Sequence, residues 1–508
     1  MNTLRPLVRS ISAIFATTAF AALSPAASAE TALTIYSSAQ PGSINPQTYK
    51  SGGEGAIVPG YALVREERLF TLKAGRNLLR VNDVPGLIDP TTVAFTSLTD
   101  PKGTHVVEQN FEFDLTSQAK LLSRYLDREV VVDQGREKGV DTITGTLIGT
   151  QGGLTLRQAD GSVRILAHYS QVRLPGLPGG LISKPTLVWD IDAGTAASHK
   201  ARFTYQTGGM TWWTDYNLTY SESRAGACKV DVAAWVTIVN QSGASFADAK
   251  LKLIAGDVQR AQPRGYAVPQ AAAMLARDSA KAEGFAEKAF FEYHLYTLGR
   301  PTSIANNSTK QVELFPTAAG VGCEKTLVYY GQGGAYPYSY YSSPATDRNL
   351  GVQSNKKVDV YLRLKNAAAN GLGVPLPAGK IRVSKLDTAD GSLEFIGEDL
   401  IDHTAREETV QIKLGSAFDV VGERRQVDFR IDTNAHWIEE DIEVKVRNQK
   451  PDEAVNVLVR ENLYRWSNWT LVRKSHDFTK EDARTIHFPL RIAPKAEAVV
   501  RYTVRYTW

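Results

Sequence analysis

The sequence predicts a mainly β, multidomain protein: β-sandwich units plus a small SH3-like or Sm-like barrel, with a short Ala-rich helical insertion. Three observations carry that prediction. Short runs of β-branched and aromatic residues recur along almost the whole chain, bounded by Gly, Pro, Asn and Asp. Many of these runs alternate apolar with polar residues, as half-buried antiparallel strands do. There are too many of them for one small sandwich.

The first segment reads as an export signal. Arg5 and Arg9 precede an uncharged apolar stretch from Ile11 to Leu23, and Ala27-Ser28-Ala29 offers the small residues that signal peptidase accepts. Residues 1–29 are therefore expected to be a signal peptide cut before Glu30, leaving a periplasmic or secreted protein. The apolar run is too short to span a bilayer comfortably, and no later stretch is long, uncharged and apolar, so no transmembrane helix is expected. No Cys follows the cleavage site to carry a lipid, and Arg5 and Arg9 are not adjacent, as a twin-arginine signal requires. The rest of the chain is enough for about three domains. With 58 Lys+Arg against 54 Asp+Glu the charge is nearly balanced, which points away from nucleic acid and anionic membranes as partners.

Residues 30–54 are rich in Gly, Ser and Pro and are expected to form a flexible leader. Residues 55–114, with YALVREERLFTL and TTVAFTSLT, read as an N-terminal β domain. In residues 115–180, Ser117 caps a short helix whose Leu121, Leu122, Tyr125 and Leu126 share a face. Four short strands follow, turned at Gly152-Gly153 and Asp160-Gly161, which in so small a stretch predicts the barrel. Such barrels often bind RNA or peptides, but the fold alone fixes no function. After a Pro/Gly-rich connector, residues 186–508 read as a C-terminal β-sandwich region. Residues 269–289, Ala-rich and charged, are expected to be an inserted surface helix. No internal repeat stands out at solenoid or propeller periods.

Six stretches in the C-terminal two-thirds carry a family resemblance. They are Trp212-Trp213-Thr-Asp-Tyr216; Val239-Asn240-Gln-Ser-Gly243 leading to Phe246-Ala-Asp248-Ala-Lys-Leu251; Tyr293-His-Leu-Tyr296; Pro375-Leu-Pro-Ala-Gly379; Phe395-Ile-Gly-Glu398; and Gly415-Ser-Ala-Phe418-Asp419. Together they resemble the bacterial proteins grouped as domain of unknown function 4139, and the upstream ALVREERLFTLKAGRNLLRVNDVPGLIDP looks like the N-terminal part of such proteins. The barrel-like strands depart from relatives that carry long helices there. The resemblance implies an exported β-rich protein and supplies no catalytic residues. Read physically, Asn240-Gln-Ser-Gly243 is turn chemistry, Pro375 to Gly379 a stiff strand entry, and Trp212, Trp213 and Tyr216 core or sheet-face aromatics.

The chain contains no G-x-S-x-G, H-E-x-x-H, P-loop or dinucleotide fingerprint. Its eight histidines are scattered, and His294 and His168 read as strand residues with local partners. The acidic run His436-Trp-Ile-Glu439-Glu440-Asp441-Ile-Glu443 invites an acid/base assignment, but Ile438, Ile442, Val444 and Val446 share one parity while Glu439, Asp441 and Glu443 share the other. That pattern predicts a solvated sheet face. Asp387-Thr-Ala-Asp390-Gly391 reads as a hairpin turn, being too short for a calcium loop. Cys228 and Cys323 either form a disulfide, which an oxidising compartment permits, or remain two buried thiols. The candidate ligand-binding residues are Tyr336, Tyr338, Tyr340 and Tyr341, crowded into a Gly/Ser/Pro-rich loop at 331–349; the alternative is that their rings fold back as a lid. Trp466 and Trp469 read as core packing. The chain ends Val500-Arg-Tyr502-Thr-Val504-Arg-Tyr506-Thr-Trp508, an alternation shared by sandwich edge strands and the last strands of outer-membrane barrels. The function expected is non-enzymatic, a cell-envelope protein that binds or scaffolds an envelope protein or glycan. A hydrolase of an envelope polymer and an outer-membrane-associated β protein are the alternatives. No metal or cofactor is expected.

Overall fold

The computed structural model describes residues 30–36, 58–113, 117–136, 139–176, 182–222, 228–256, 258, 285–332, 343–352 and 354–508. The expected signal peptide lies outside them. Among the described residues the architecture is mainly β, in several sheets, with one short α-helix. Among the described residues no helix is long and apolar enough to cross a membrane.

The segment expected to form the small barrel has the helix Gln118–Arg124, capped by the Ser117 side chain, which accepts from the Lys120 N–H, and a five-stranded sheet. Its Leu122, with Tyr125 just beyond, packs on Val130, Val132, Ile143 and Leu147, whereas Leu126 is exposed. Five strands follow, not four. Their order is Gln171–Arg173, Glu129–Arg136, Gly139–Gly149, Leu154–Arg157, Val163–Leu166. The extra strand, Gln171–Arg173, is three residues long and too short to show a period; it pairs antiparallel with the first.

Three expectations need correction. The leader expected at 30–54 begins as a strand, Glu30–Tyr36, because alternate residues Leu33 and Ile35 bury between Tyr61–Leu72 on one side and Phe246–Ala255 on the other. Residues 37–54 lie outside the described residues. The end of the expected helix is also a strand, Phe285–Phe290, held by its hairpin partner Tyr293–Leu298; residues 269–284 lie outside the described residues. Finally, strand pairing crosses the boundary drawn between 55–114 and 186–508. Thr186–Ala193 sits between Gly75–Val81 and Thr104–Glu112, and Ala197–Gly208 pairs with Tyr61–Leu72 and Ile88–Ser97. Trp189, fully buried against Phe203, Phe95 and Phe70, joins these strands into one core. The helix and five-stranded sheet at 118–173 are thus an insertion between strands of this core.

From Met210 onward the chain repeats one topology three times, a repeat that the sequence pattern does not announce. Each unit has an opening strand, a strand running up to a buried Asn, a crossover strand, and a closing strand that pairs antiparallel with the Asn-ended one. The Asn-ended strands are Cys228–Asn240, Lys357–Lys365 with Asn366, and Trp437–Asn448. The crossover strands are Phe246–Ala255, Gly379–Leu386 and Val455–Asn462. Two strands are shared. Ser308–Tyr330 closes the first unit with its first half and opens the second with its last, and Thr409–Asp432 does the same between the second and third.

The three asparagines, all fully buried, make the same bonds. Asn240 Nδ2 donates to Ala244 O (2.9 Å) and Ala305 O (3.0 Å). Asn366 donates to Val374 O (2.8 Å) and Ala405 O (2.9 Å), and Asn448 to Glu453 O (2.8 Å) and Ala493 O (3.1 Å). Each Oδ1 accepts a backbone N–H from the following loop, of Ser242, Gly373 and Lys450 respectively. Each amide therefore fastens the loop after its own strand to the turn before the closing strand. Two residues beyond each alanine the backbone turns left-handed, at Asn307 (φ 52°), Glu407 (φ 65°) and Lys495 (φ 53°). In the first unit Gly243 is also constrained, since at φ 93° an added Cβ would lie 2.6 Å from Gly86 N.

The closing strand of the third unit, Glu497–Thr507, buries Val500, Tyr502, Val504 and Tyr506; Trp508 packs on the same core, edge-on to His436. Two stability predictions follow from this packing. Asn448→Ala leaves several backbone groups without a partner and should lower unfolding free energy in urea by about 3 kcal/mol, whereas exposed Asn434→Ala should change it by less than about 0.5 kcal/mol. Deleting Arg505 to Trp508 removes Tyr506 from the core and should cost at least about 3 kcal/mol. Wild-type stability in either variant would rule out the fastening or the packing it tests.

Candidate functional site

The second shared strand changes partner in its middle. Ser416 pairs with Asp359, the next pair with that neighbour is Val421–Lys357, and from Val420 the strand pairs with Trp437–Asn448. The residues between are thrown out as a bulge, and Phe418 there is 95% exposed. It lines a cleft of about 1350 Å³ where the three units meet. Tyr220, Glu222 and the Cys228–Cys323 pair form part of one wall, Leu386 and Ile396 another, and Glu453 and Arg491 the side given by the third unit.

The cleft's central charge is Lys325, whose Nζ lies 3.1 Å from Glu222 and 3.2 Å from Glu453, two carboxylates from different units. Burial works against the charge of Lys325, but Glu222, Tyr220 and Glu453 together raise it above the usual lysine range. Burial would likewise raise Glu453, yet Lys450 at 2.7 Å and Lys325 hold it below the usual carboxylate range. Burial also pushes the Tyr220 hydroxyl up to about 12. The carboxylates therefore brace the cleft as charged partners of lysine. A general acid needs a carboxyl raised toward neutrality, the opposite shift from that of Glu453. Phe418 and half-exposed Leu386 give the cleft an apolar side.

Of the residues singled out in the sequence, Cys228 and Cys323 face each other in register on adjacent strands, their Cα atoms 4.9 Å apart, and are joined as a disulfide. Tyr336, Tyr338, Tyr340 and Tyr341 lie outside the described residues. The chain beyond them is firmly held: buried Arg465 donates to the carbonyls of Ala345 (2.8 Å), Asp347 (2.7 Å) and Leu350 (3.0 Å). Trp466 and Trp469 pack against the third unit's core. The Asp387–Ser392 segment is a turn, with Gly391 at φ 79° and Asp390 Oδ1 accepting the Ser392 N–H.

The acidic run is covered rather than solvated. Glu443 accepts from Arg425 (2.8 Å) and Arg501 (2.7 Å), and Glu439 from Arg505 (2.6 Å), so flanking arginines bury both carboxylates. Glu440 was not singled out, although it shares the inward parity of Ile438 and Ile442; it is buried 2.9 Å from Arg465. A second buried pair, Arg424–Glu461 at 2.9 Å, shares its carboxylate with the Tyr502 hydroxyl. Charged residues at inward parity were the available signal for Arg424, Glu440 and Glu461. Phe418 and Lys325 had none, because a bulge and a junction between units have no period.

His294 contacts Glu287 at 2.8 Å, and Arg406 reaches the same carboxylate at 2.9 Å. His168 lies beyond the strand Val163–Leu166 and is exposed. Ser97 and His199 approach to 3.3 Å, with His199 Nε2 3.0 Å from Thr195 O; both side chains are buried in the sandwich, sealed from a substrate. Among the described residues no group of three or more His, Cys, Asp or Glu side chains is placed to hold a metal ion.

Motifs far apart in sequence meet in space. The Tyr216 hydroxyl donates to Pro377 O (2.7 Å), Tyr296 to Pro375 O (3.1 Å), and Gly397 packs against Leu414, one residue before the Gly415–Asp419 motif. No family model matches the chain, and no curated protein matches it.

The disulfide spans 95 residues, for which loop entropy alone gives about 4.7 kcal/mol. The unfolded, unreduced protein should show no free thiol on labelling, and Cys228→Ala with Cys323→Ala should be less stable by roughly that amount. Two reactive thiols would exclude the bond.

Proposed function

We propose that this chain is an exported cell-envelope protein of the group called domain of unknown function 4139, and that it works by binding. The cleft holds an envelope protein or glycan, and the sandwich units serve as its scaffold. The observation that carries this reading is Phe418, a large aromatic ring exposed at a bulge where the strand could have buried it by staying in register. An exposed aromatic beside paired charges suits contact with an extended surface better than proton transfer. The lowered carboxyl of Glu453 does not suit it to the general acid's part in the hydrolase alternative. The rows of arginine and carboxylate on the outer face of Trp437–Asn448 weigh against a lipid-facing wall there.

Phe418→Ser tests the proposal. The variant should keep its melting temperature within about 2 °C, as a surface change does, and should lose most of its retention by isolated bacterial envelopes. Undiminished retention would sink the cleft as the binding site. A large fall in melting temperature would show that the ring is structural.

A further inference from the structure

A smaller pocket, of about 230 Å³, adjoins the cleft and shares Tyr220, Lys325 and Lys385 with it. Val360, Leu362, Ile396 and Leu414 give it an apolar floor. Polar groups enter it where the alternation of each strand calls for core residues. On Gly379–Leu386, Ile381 and Val383 bury inward, and Lys385 is next at the same parity. On Met210–Glu222 the inward row ends Leu218, Tyr220, Glu222. On Ser308–Tyr330, Lys325 stands at the parity of Leu327 and Tyr329. Lys325 and Lys450 are matched by Glu222 and Glu453. Lys385 is not matched in this way. Glu394 stands opposite it on the neighbouring strand but accepts from Ser392 Oγ (2.8 Å). Among the described residues the partner of the Lys385 ammonium is the Tyr220 ring, whose centroid is 5.8 Å away. Tyr220 itself is only 4% exposed, and its hydroxyl lies beside Glu222 without reaching a hydrogen-bond partner among the described residues. An uncompensated cation and an unused hydroxyl therefore stand over an aliphatic floor.

We propose that this pocket binds an organic carboxylate with an apolar body. The body lies on the aliphatic floor, and the carboxylate accepts from the Lys385 ammonium and the Tyr220 hydroxyl. The inference rests on the cleft being a binding site and names the chemical group its inner recess holds. Hydrogen bonds to an ionised carboxylate are the strong kind, and an apolar surround strengthens them further. An amine would meet Lys385 as a like charge. A sugar ring carries hydroxyls around its edge, which Val360, Leu362, Ile396 and Leu414 cannot satisfy. A dry cavity of about 150 Å³ admits benzene, so 230 Å³ gives room for one ring and a short acidic arm. A free aromatic or aliphatic acid and the C-terminal residue of a polypeptide share this chemistry.

The probes are 3-phenylpropanoate, its neutral amide, and the peptide acetyl-Ala-Ala-Phe with a free C-terminal carboxylate, each titrated into the full chain by isothermal calorimetry. Saturable binding of the acid is expected with a Kd below about 1 mM, and the amide should bind at least about tenfold more weakly. A peptide that binds more than about tenfold tighter than the acid assigns the pocket to a chain end, and equal or weaker binding assigns it to a free acid. Lys385→Gln, at an exposed position, should keep the fold and weaken the acid about tenfold while leaving the amide unchanged. Tyr220→Phe should weaken the acid about fivefold. It should not lower the melting temperature, because the hydroxyl it removes makes no bond in the fold. No binding below about 1 mM, equal binding of acid and amide, or insensitivity to Lys385→Gln would each overturn the proposal. If the acid fails to bind while Phe418→Ser still abolishes envelope retention, this inference falls and the cleft reading stands. If the acid binds as expected while retention is undiminished, the pocket stands and the cleft reading falls.

Discussion

Three buried amides organise most of this chain. A fully buried Asn with every donor and acceptor used is costly to misplace, because each unmade bond strands a backbone group in the core. Asn240, Asn366 and Asn448 each fasten a loop to the turn before the closing strand, and so fix where that strand begins and in which register it pairs. Register in turn decides which side chains face inward. The aliphatic core supplies the larger energy, yet it would be equally apolar after a two-residue slip. The amides would not be satisfied.

Sharing strands between units has a geometric cost. A strand that closes one unit and opens the next must leave one neighbour and join another, and near that point the pairing is irregular. In Ser308–Tyr330 the irregularities fall opposite Val230 to Trp235, close to the disulfide. In Thr409–Asp432 they leave Phe418 outside the ladder. The cleft lies between these two places, which is why its lining mixes residues from distant parts of the sequence.

Much of the fold was legible because strand alternation is local. Val455, Val457 and Val459 bury as their parity requires, and the hairpin at Asp390-Gly391 turns where its residues demand. The helix and most strands of the five-stranded sheet were legible from a cap, a helical face and two glycine turns. What was missed depended on distance. Glu30–Tyr36 looks like a leader because Gly, Ser and Pro follow it, and only its pairing with Tyr61–Leu72 and Phe246–Ala255 makes it a strand. The repeat was hidden because a single Asn is what its units share, with loops of unlike length around it. The acidic run was read correctly for parity and wrongly for solvation, since the covering arginines Arg425, Arg501 and Arg505 come from neighbouring strands.

The strand Glu30–Tyr36 also shapes how the chain reaches its native state. Its parallel neighbour lies more than two hundred residues later, with Ala32 opposite Lys250, so the sheet it completes cannot close until most of the intervening polypeptide is available. Contacts of that sequence separation slow the search for the folded state. A sheet whose first described strand waits for a late one stays open for longer and is sealed only when that late strand arrives.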